Sequence, residues 1–177
     1  MFSLDILQVY GRDFVVNGVE KTKGFIKKSG SLTSTLYSEA LFQGYFCKNV
    51  GNGDLVTDET GSFLVRGAHG YEWIQCILLK TNATIAVKRK EEFTDDFGNV
   101  IVDWVEKLTT EAMQQKVTTK LREDNPGIMD NVTHLFHFQT GDVEKEDRIY
   151  IGDVYFEVEF VDEITNPGLV IVQVSSV

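Results

Sequence analysis

The sequence is sparing with the residues that staple or punctuate a chain. It has two prolines, two cysteines and three histidines in 177 residues. Cys47 and Cys76 stand far apart, outside any C-x-x-C spacing, and a zinc site needs about four ligands. They read as reduced core thiols of a cytosolic protein, not as a disulfide framework. No stretch approaches the roughly 20 apolar residues of a membrane span. Met1 to Tyr10 has neither the basic start nor the apolar run of a signal peptide, so the sequons at Asn82 and Asn131 read as chance matches. A P-loop, a G-x-G-x-x-G after a strand, a G-x-S-x-G elbow and an H-E-x-x-H are all missing.

The remaining polar candidates do not assemble into chemistry. His134 and His137 are three apart, which sends them to opposite faces of a strand. His69 lies in a glycine-rich stretch with no carboxylate spaced to orient it. Asp58-Glu59 and Asp95-Asp96 sit in turns, where acidic side chains serve the local backbone. Glu144, Glu146 and Asp147 lack the ligand spacing of a calcium loop. Lys27-Lys28 and Lys88-Arg89-Lys90 could touch phosphate, but lysines beside strands also blunt edges. Trp73 and Trp104 read as core anchors. The expectation is a chain with no catalytic residue, no metal and no cofactor.

Charge of one sign is scarce in one half. Met1 to Lys90 carries 11 basic and 8 acidic residues, and Glu91 to Val177 carries 6 and 19. The acidic half repels a nucleic-acid backbone. It reads as a solvated surface, as a surface meant for a basic partner, or as a wall past which DNA must slide.

Strands and turns are abundant. Twelve phenylalanines favour sheets and interfaces. Asn17-Gly18 between apolar runs is a type I′ hairpin signal, because both central positions need positive φ; it pairs Asp13–Val16 with Val19–Ile26. Lys27 to Ser34 reads as a loop and Leu41 to Cys47 as a strand. Further strands are read at 62–67, 71–80, 84–89, 132–138, 148–151, 154–161 and 169–174. A hairpin turns at Asp95–Asn99, and both prolines lie in Asn-Pro-Gly turns. In the 154–161 strand, Val154, Phe156, Val158 and Phe160 share one face. Leu4–Tyr10 fits a short helix or a strand. Glu106–Gln115 reads as a short helix from its residue types, although Lys116–Leu121 alternates like a strand. Turns every 8–12 residues predict an all-β chain. It forms one or two small antiparallel barrel or sandwich units, divided as 1–90 and 91–177, with a short helix or extended insert near 105–124.

Gly53-Asp54-Leu55-Val56, a strand, Gly67 and Tyr71-Glu72-Trp73 parallel Gly141-Asp142-Val143, a strand, Gly152 and Tyr155-Phe156-Glu157-Val158. Either a small β unit is duplicated or hairpins with glycine turns look alike.

Two runs carry a resemblance. Val9-Tyr10-Gly11 through Asn17-Gly18-Val19, then Lys23-Gly24-Phe25-Ile26, Gly44-Tyr45-Phe46 and Gly53-Asp54-Leu55-Val56, resembles small neck and tail-joining proteins of Gram-positive prophages. Gly141-Asp142-Val143, Asp147-Arg148-Ile149, Gly152, Tyr155-Phe156-Glu157-Val158 and the strand after Pro167-Gly168 are similar to head-closure (stopper) and tail-joining proteins of tailed phages. The stretch Val105 to Asp124 departs from the short versions of these proteins. The resemblance implies a small β-barrel subunit of a ring between portal and tail, in a head-closure or adaptor role, without enzymatic activity. The alternatives are a tail terminator or tail-completion protein, or a small β-barrel binding module. The implied partners are further copies in a cyclic oligomer and neighbouring portal, adaptor or tail proteins. DNA would pass without sequence-specific binding and no membrane is involved. The implied location is the virion neck or tail, and the host cytoplasm during assembly. Strand addition at exposed edges would join the subunits. The candidate strands are Leu169, Val170, Ile171 and Val172, then Leu41, Phe42, Tyr45 and Phe46.

Overall fold

The Asn-Gly hairpin starts the first barrel. In a computed structural model that describes residues 4–29 and 40–176, Asn17 and Gly18 hold φ of 51° and 73°. The Val19 N–H donates to the Val16 carbonyl. Strand β1 (Arg12–Val16) thereby folds back on β2 (Glu20–Lys28), in register from Val16↔Glu20 to Arg12↔Gly24. Leu4–Tyr10 takes the helical option, as α1, and buries only Leu7. The loop read at 27–34 lies largely outside the described residues.

β3 (Leu41–Phe46), β4 (Leu55–Asp58), β5 (Gly61–His69) and β6 (Ile74–Lys80) complete a closed antiparallel barrel, in the order β1-β2-β3-β6-β5-β4. Its interior holds Phe14, Phe46, Val56, Phe63, Cys76 and Leu78, with Phe14 and Phe46 edge to face at 5.3 Å.

The second barrel uses β7 (Ala83–Thr94), β8 (Val100–Lys116), β9 (His134–Gln139), β10 (Arg148–Ile151), β11 (Val154–Asp162) and β12 (Leu169–Ser176). Read from β7, its order is β7-β8-β9-β12-β11-β10, the topology of the first barrel repeated. The parallel phrases in the sequence are out of step with that repeat, because Gly67 lies within β5 and Gly152 in the β10–β11 turn. Strand pairing divides the chain at Thr81-Asn82. The division at 90/91 is therefore displaced, since β7 belongs wholly to the second barrel. With that boundary, residues 1–82 are neutral, and residues 83–177 carry nine basic and nineteen acidic side chains, net −10.

The helix read over Glu106–Gln115 is a strand. These helix formers continue the 17-residue β8, which the β7 ladder holds from Thr94↔Val100 to Ala83↔Ala112. Cross-strand pairing overrides a weak local preference. The helix comes later, as α2 (Thr119–Asp124), where the Thr118 hydroxyl accepts the Leu121 N–H at 3.2 Å. Leu121 covers Leu135, Ile128 and Val132 on the outside of the second barrel.

β11 changes phase. A bulge between Val158 and Phe160 sets Val158 opposite Val174 and Phe160 opposite Gln173. Phe156 and Val158 point into the core, but Phe160 is exposed and Val161 takes the inward place. One extra residue moves every later side chain to the other face.

The barrels meet side by side. Leu41, Leu64 and Leu79 of the first pack on Met113 and Leu169 of the second. Gln139 Nε2 donates across the seam to the Gly53 carbonyl at 2.9 Å and to Asn17 Oδ1 at 3.0 Å. Arg66 Nε donates to Asn166 Oδ1 at 3.1 Å.

Candidate functional site

The strands proposed as edges are not edges. β12 bonds to β11 and β9, and β3 to β2 and β6. Closing a barrel consumes the unpaired backbone that strand addition needs. Val170 and Val172 lie in the second core, Phe46 in the first with Phe42 packed against it, and Leu41 and Leu169 in the seam. Tyr45 is buried on the outside of the first barrel against Trp73, and Ile171 is half-buried.

Unpaired backbone lies instead where β7 and β8 outrun their barrel. β10 bonds β7 only at Ala86–Lys88, and β9 bonds β8 only at Met113–Lys116. From Arg89↔Val105 to Thr94↔Val100 the two strands pair with each other alone, forming a two-stranded arm. Its tip is tied by the Asp95 carboxylate, which accepts the N–H groups of Phe97 and Asn99 at 2.9 and 2.8 Å and the Asn99 amide at 2.9 Å. Those bonds, the Asn99 side chain first, lower the Asp95 pKa. Phe93, Val100, Ile101 and Val102 are exposed, and Phe97 is 90% exposed. A β-strand this apolar normally hides one face. The sequence signal was the unbroken Val100-Ile101-Val102, read only as part of a hairpin.

The arm is anchored at its base. Arg89 Nε and Nη2 donate to the two oxygens of Asp147, each at 2.9 Å. The same guanidinium reaches Asp142 at 2.9 Å and Glu144 at 3.1 Å, so it does not offer itself to phosphate. Asp147 is buried and also accepts the Glu144 N–H at 2.7 Å. Lys107 pairs with Glu91. Trp104 is not a core anchor: it is half-buried on the barrel's outer side beneath the Arg148 guanidinium, 4.1 Å from its ring.

β9 sends its histidines to opposite faces. His134 meets Phe156 edge-on at 4.9 Å. His137 is buried on the outward face, which carries Leu135 and Gln139 to the outside of the barrel. Burial pushes its imidazole down to about 3, and the Arg66 charge adds to the effect. His69 is exposed. Cys76 is a core thiol pushed up to about 12, by burial first and then by the Asp54 charge. Among the described residues no three metal-ligating side chains converge, and no helix is long and apolar enough to cross a membrane.

One further surface stands out on the first barrel. A groove between α1 and β2 is lined by Gln8, Lys21, Lys23, Cys47 and Lys48, with Asp13 its single carboxylate. Val9 and Tyr10, next in α1 after Gln8, are exposed. No protein-family model and no curated protein matches the chain.

Proposed function

We propose that the chain is a non-enzymatic structural subunit of a phage head-to-tail connector ring, in a head-closure or adaptor role between portal and tail. The observation that carries this reading is the projecting arm. Two barrels have closed their own edges, and the one self-paired ribbon among the described residues carries exposed phenylalanines and β-branched residues. An apolar ribbon of this kind is built to be covered by another chain. The resemblance noted in the sequence supports the same reading, and its motifs fall on framework positions. Gly44-Tyr45-Phe46 lies on β3, and Gly53-Asp54 leads into β4. The partners are further copies and adjoining portal, adaptor or tail proteins. The acidic second barrel suits a surface that DNA passes without adhering. The subunit belongs in the virion neck, after assembly in the host cytoplasm, and needs no cofactor.

The test is co-sedimentation of the purified chain with portal and tail-completion proteins encoded beside its gene, followed by microscopy of particles lacking it. Binding to portal and capsids that leak DNA support the reading. Tails of uncontrolled length would assign the chain to tail termination instead. A chain that binds none of these proteins is not a connector subunit.

A further inference from the structure

We propose that the β7–β8 arm is the inserting half of a head-to-tail contact between copies of this chain, and that the α1–β2 groove of the next copy receives it. This rests on the reading of the chain as a ring subunit and assigns the surfaces that join the ring.

The arm combines two properties. Its apolar side chains, Phe93, Phe97 and Val100 to Val102, are exposed. Its carboxylates are concentrated: Glu91, Glu92, Asp95, Asp96 and Asp103 lie within thirteen residues that hold no basic side chain. Glu91 is neutralised by Lys107, and Asp95 is engaged in the turn. Glu92, Asp96 and Asp103 are exposed. Two arms pairing about a two-fold axis would bring these charges together, which disfavours arm-to-arm association. The arm calls for a surface both basic and apolar.

The first barrel carries one. Lys21, Lys23 and Lys48 line the groove against the single carboxylate of Asp13, and the helix that supplies Gln8 to it also carries the exposed Val9 and Tyr10. Of that helix, only Leu7 is buried. The larger field agrees, because a neutral barrel beside one of net −10 favours first-to-second contact between copies over second-to-second. Arm and groove belong to different barrels, so the contact is heterologous and propagates into a ring or a filament.

Cys47 lines the groove and supplies the test. A Phe97→Cys variant, oxidised mildly at high protein concentration, should give a ladder of disulfide-linked species that disappears in Phe97→Cys/Cys47→Ser. Lys21→Glu with Lys23→Glu should lower the linked yield at least tenfold. An independent measurement uses the wild-type chain. Equal amounts of ordinary and nitrogen-15-labelled protein are joined with a zero-length carbodiimide. Peptides linking Glu92, Asp96 or Asp103 to Lys21, Lys23 or Lys48 should cross between the labels. Linked dimers that survive Cys47→Ser would show arm-to-arm pairing and overturn the proposal. So would links confined to one label, or an absence of linked species in both experiments. Co-sedimentation with portal is scored separately: if it succeeds while these links fail, the surfaces are wrong and the connector reading stands.

Discussion

Gly53 and Gly168 meet backbone to backbone where the two barrels touch. A Cβ on Gly53 would stand 2.4 Å from the Gly168 carbonyl oxygen, and one on Gly168 would stand 2.7 Å from the carbonyl oxygen of Asn52. Both residues hold φ of +82°. Neither contact is with a flexible side chain, so the backbones themselves would have to part. Gly53→Ala should cost about 2–4 kcal/mol, the sum of a strained φ and a steric clash. Gly98, with the same φ but nothing within 4 Å, separates the two effects. Gly98→Ala should cost only about 1 kcal/mol. Urea unfolding of the two variants checks the difference.

Arg89 and Asp147 should respond unequally to deletion. Only 2% of the Asp147 side chain is exposed. Arg89→Met leaves that carboxylate buried with only the Glu144 N–H, and should cost about 3–5 kcal/mol. Asp147→Asn leaves Arg89 with Asp142 and Glu144 and keeps an oxygen for the Glu144 N–H. It should cost only about 1–2 kcal/mol. Equal losses in denaturant titration would mean that Arg89 does not depend on its outer partners.

The strand grammar was legible because its signals are local. Asn17-Gly18, Asp95 to Asn99 and the glycine turns each specify their own hairpin from a few residues. Closure was not legible, because it depends on which distant strand lies next. Nothing in Leu169–Val174 or Leu41–Phe46 says that both sides of each strand are taken. The same limit explains Glu106–Gln115, whose residue types suit a helix until β7 is present to pair with them. The arm was half-legible. Its hairpin was read, but its projection follows from β9 and β10 stopping short, which their own sequences do not announce. The groove was not legible, because it joins Gln8 of a helix to lysines on β2 and beyond β3, which come together only once the barrel has closed.

Stability should depend on pH through His137. Its folded pKa is pushed down to about 3, against about 6.5 in an unfolded chain. Between these values the unfolded state holds the extra proton, so stability is full above about pH 6.5 and falls as the pH drops below it. The loss between pH 7 and 5 should be about 2 kcal/mol. His137→Gln should flatten this slope even if it lowers stability at pH 7. His134 is shifted the same way, by burial first and then by the Lys116 charge, so His134→Gln should remove a smaller remainder. A wild-type curve that is flat from pH 7 to 5 would contradict the burial of a neutral His137.

The β11 bulge can be tested through the two residues beside it. Simple alternation makes Val158 and Phe160 equivalent core residues, and truncating a buried phenylalanine would then cost about 3–5 kcal/mol. The bulge breaks the equivalence. Val158 is 2% exposed against Phe156 and Val174 in the barrel core, whereas Phe160 is 47% exposed. Val158→Ala should therefore cost about 2 kcal/mol, and Phe160→Ser less than about 1 kcal/mol. Val161→Ala, at the position that takes over the inward place, should fall between them. A Phe160→Ser loss larger than that of Val158→Ala would restore unbroken alternation and remove the bulge. Chemical denaturation of the three variants under one condition decides it, because changes in midpoint at constant slope report the native packing directly.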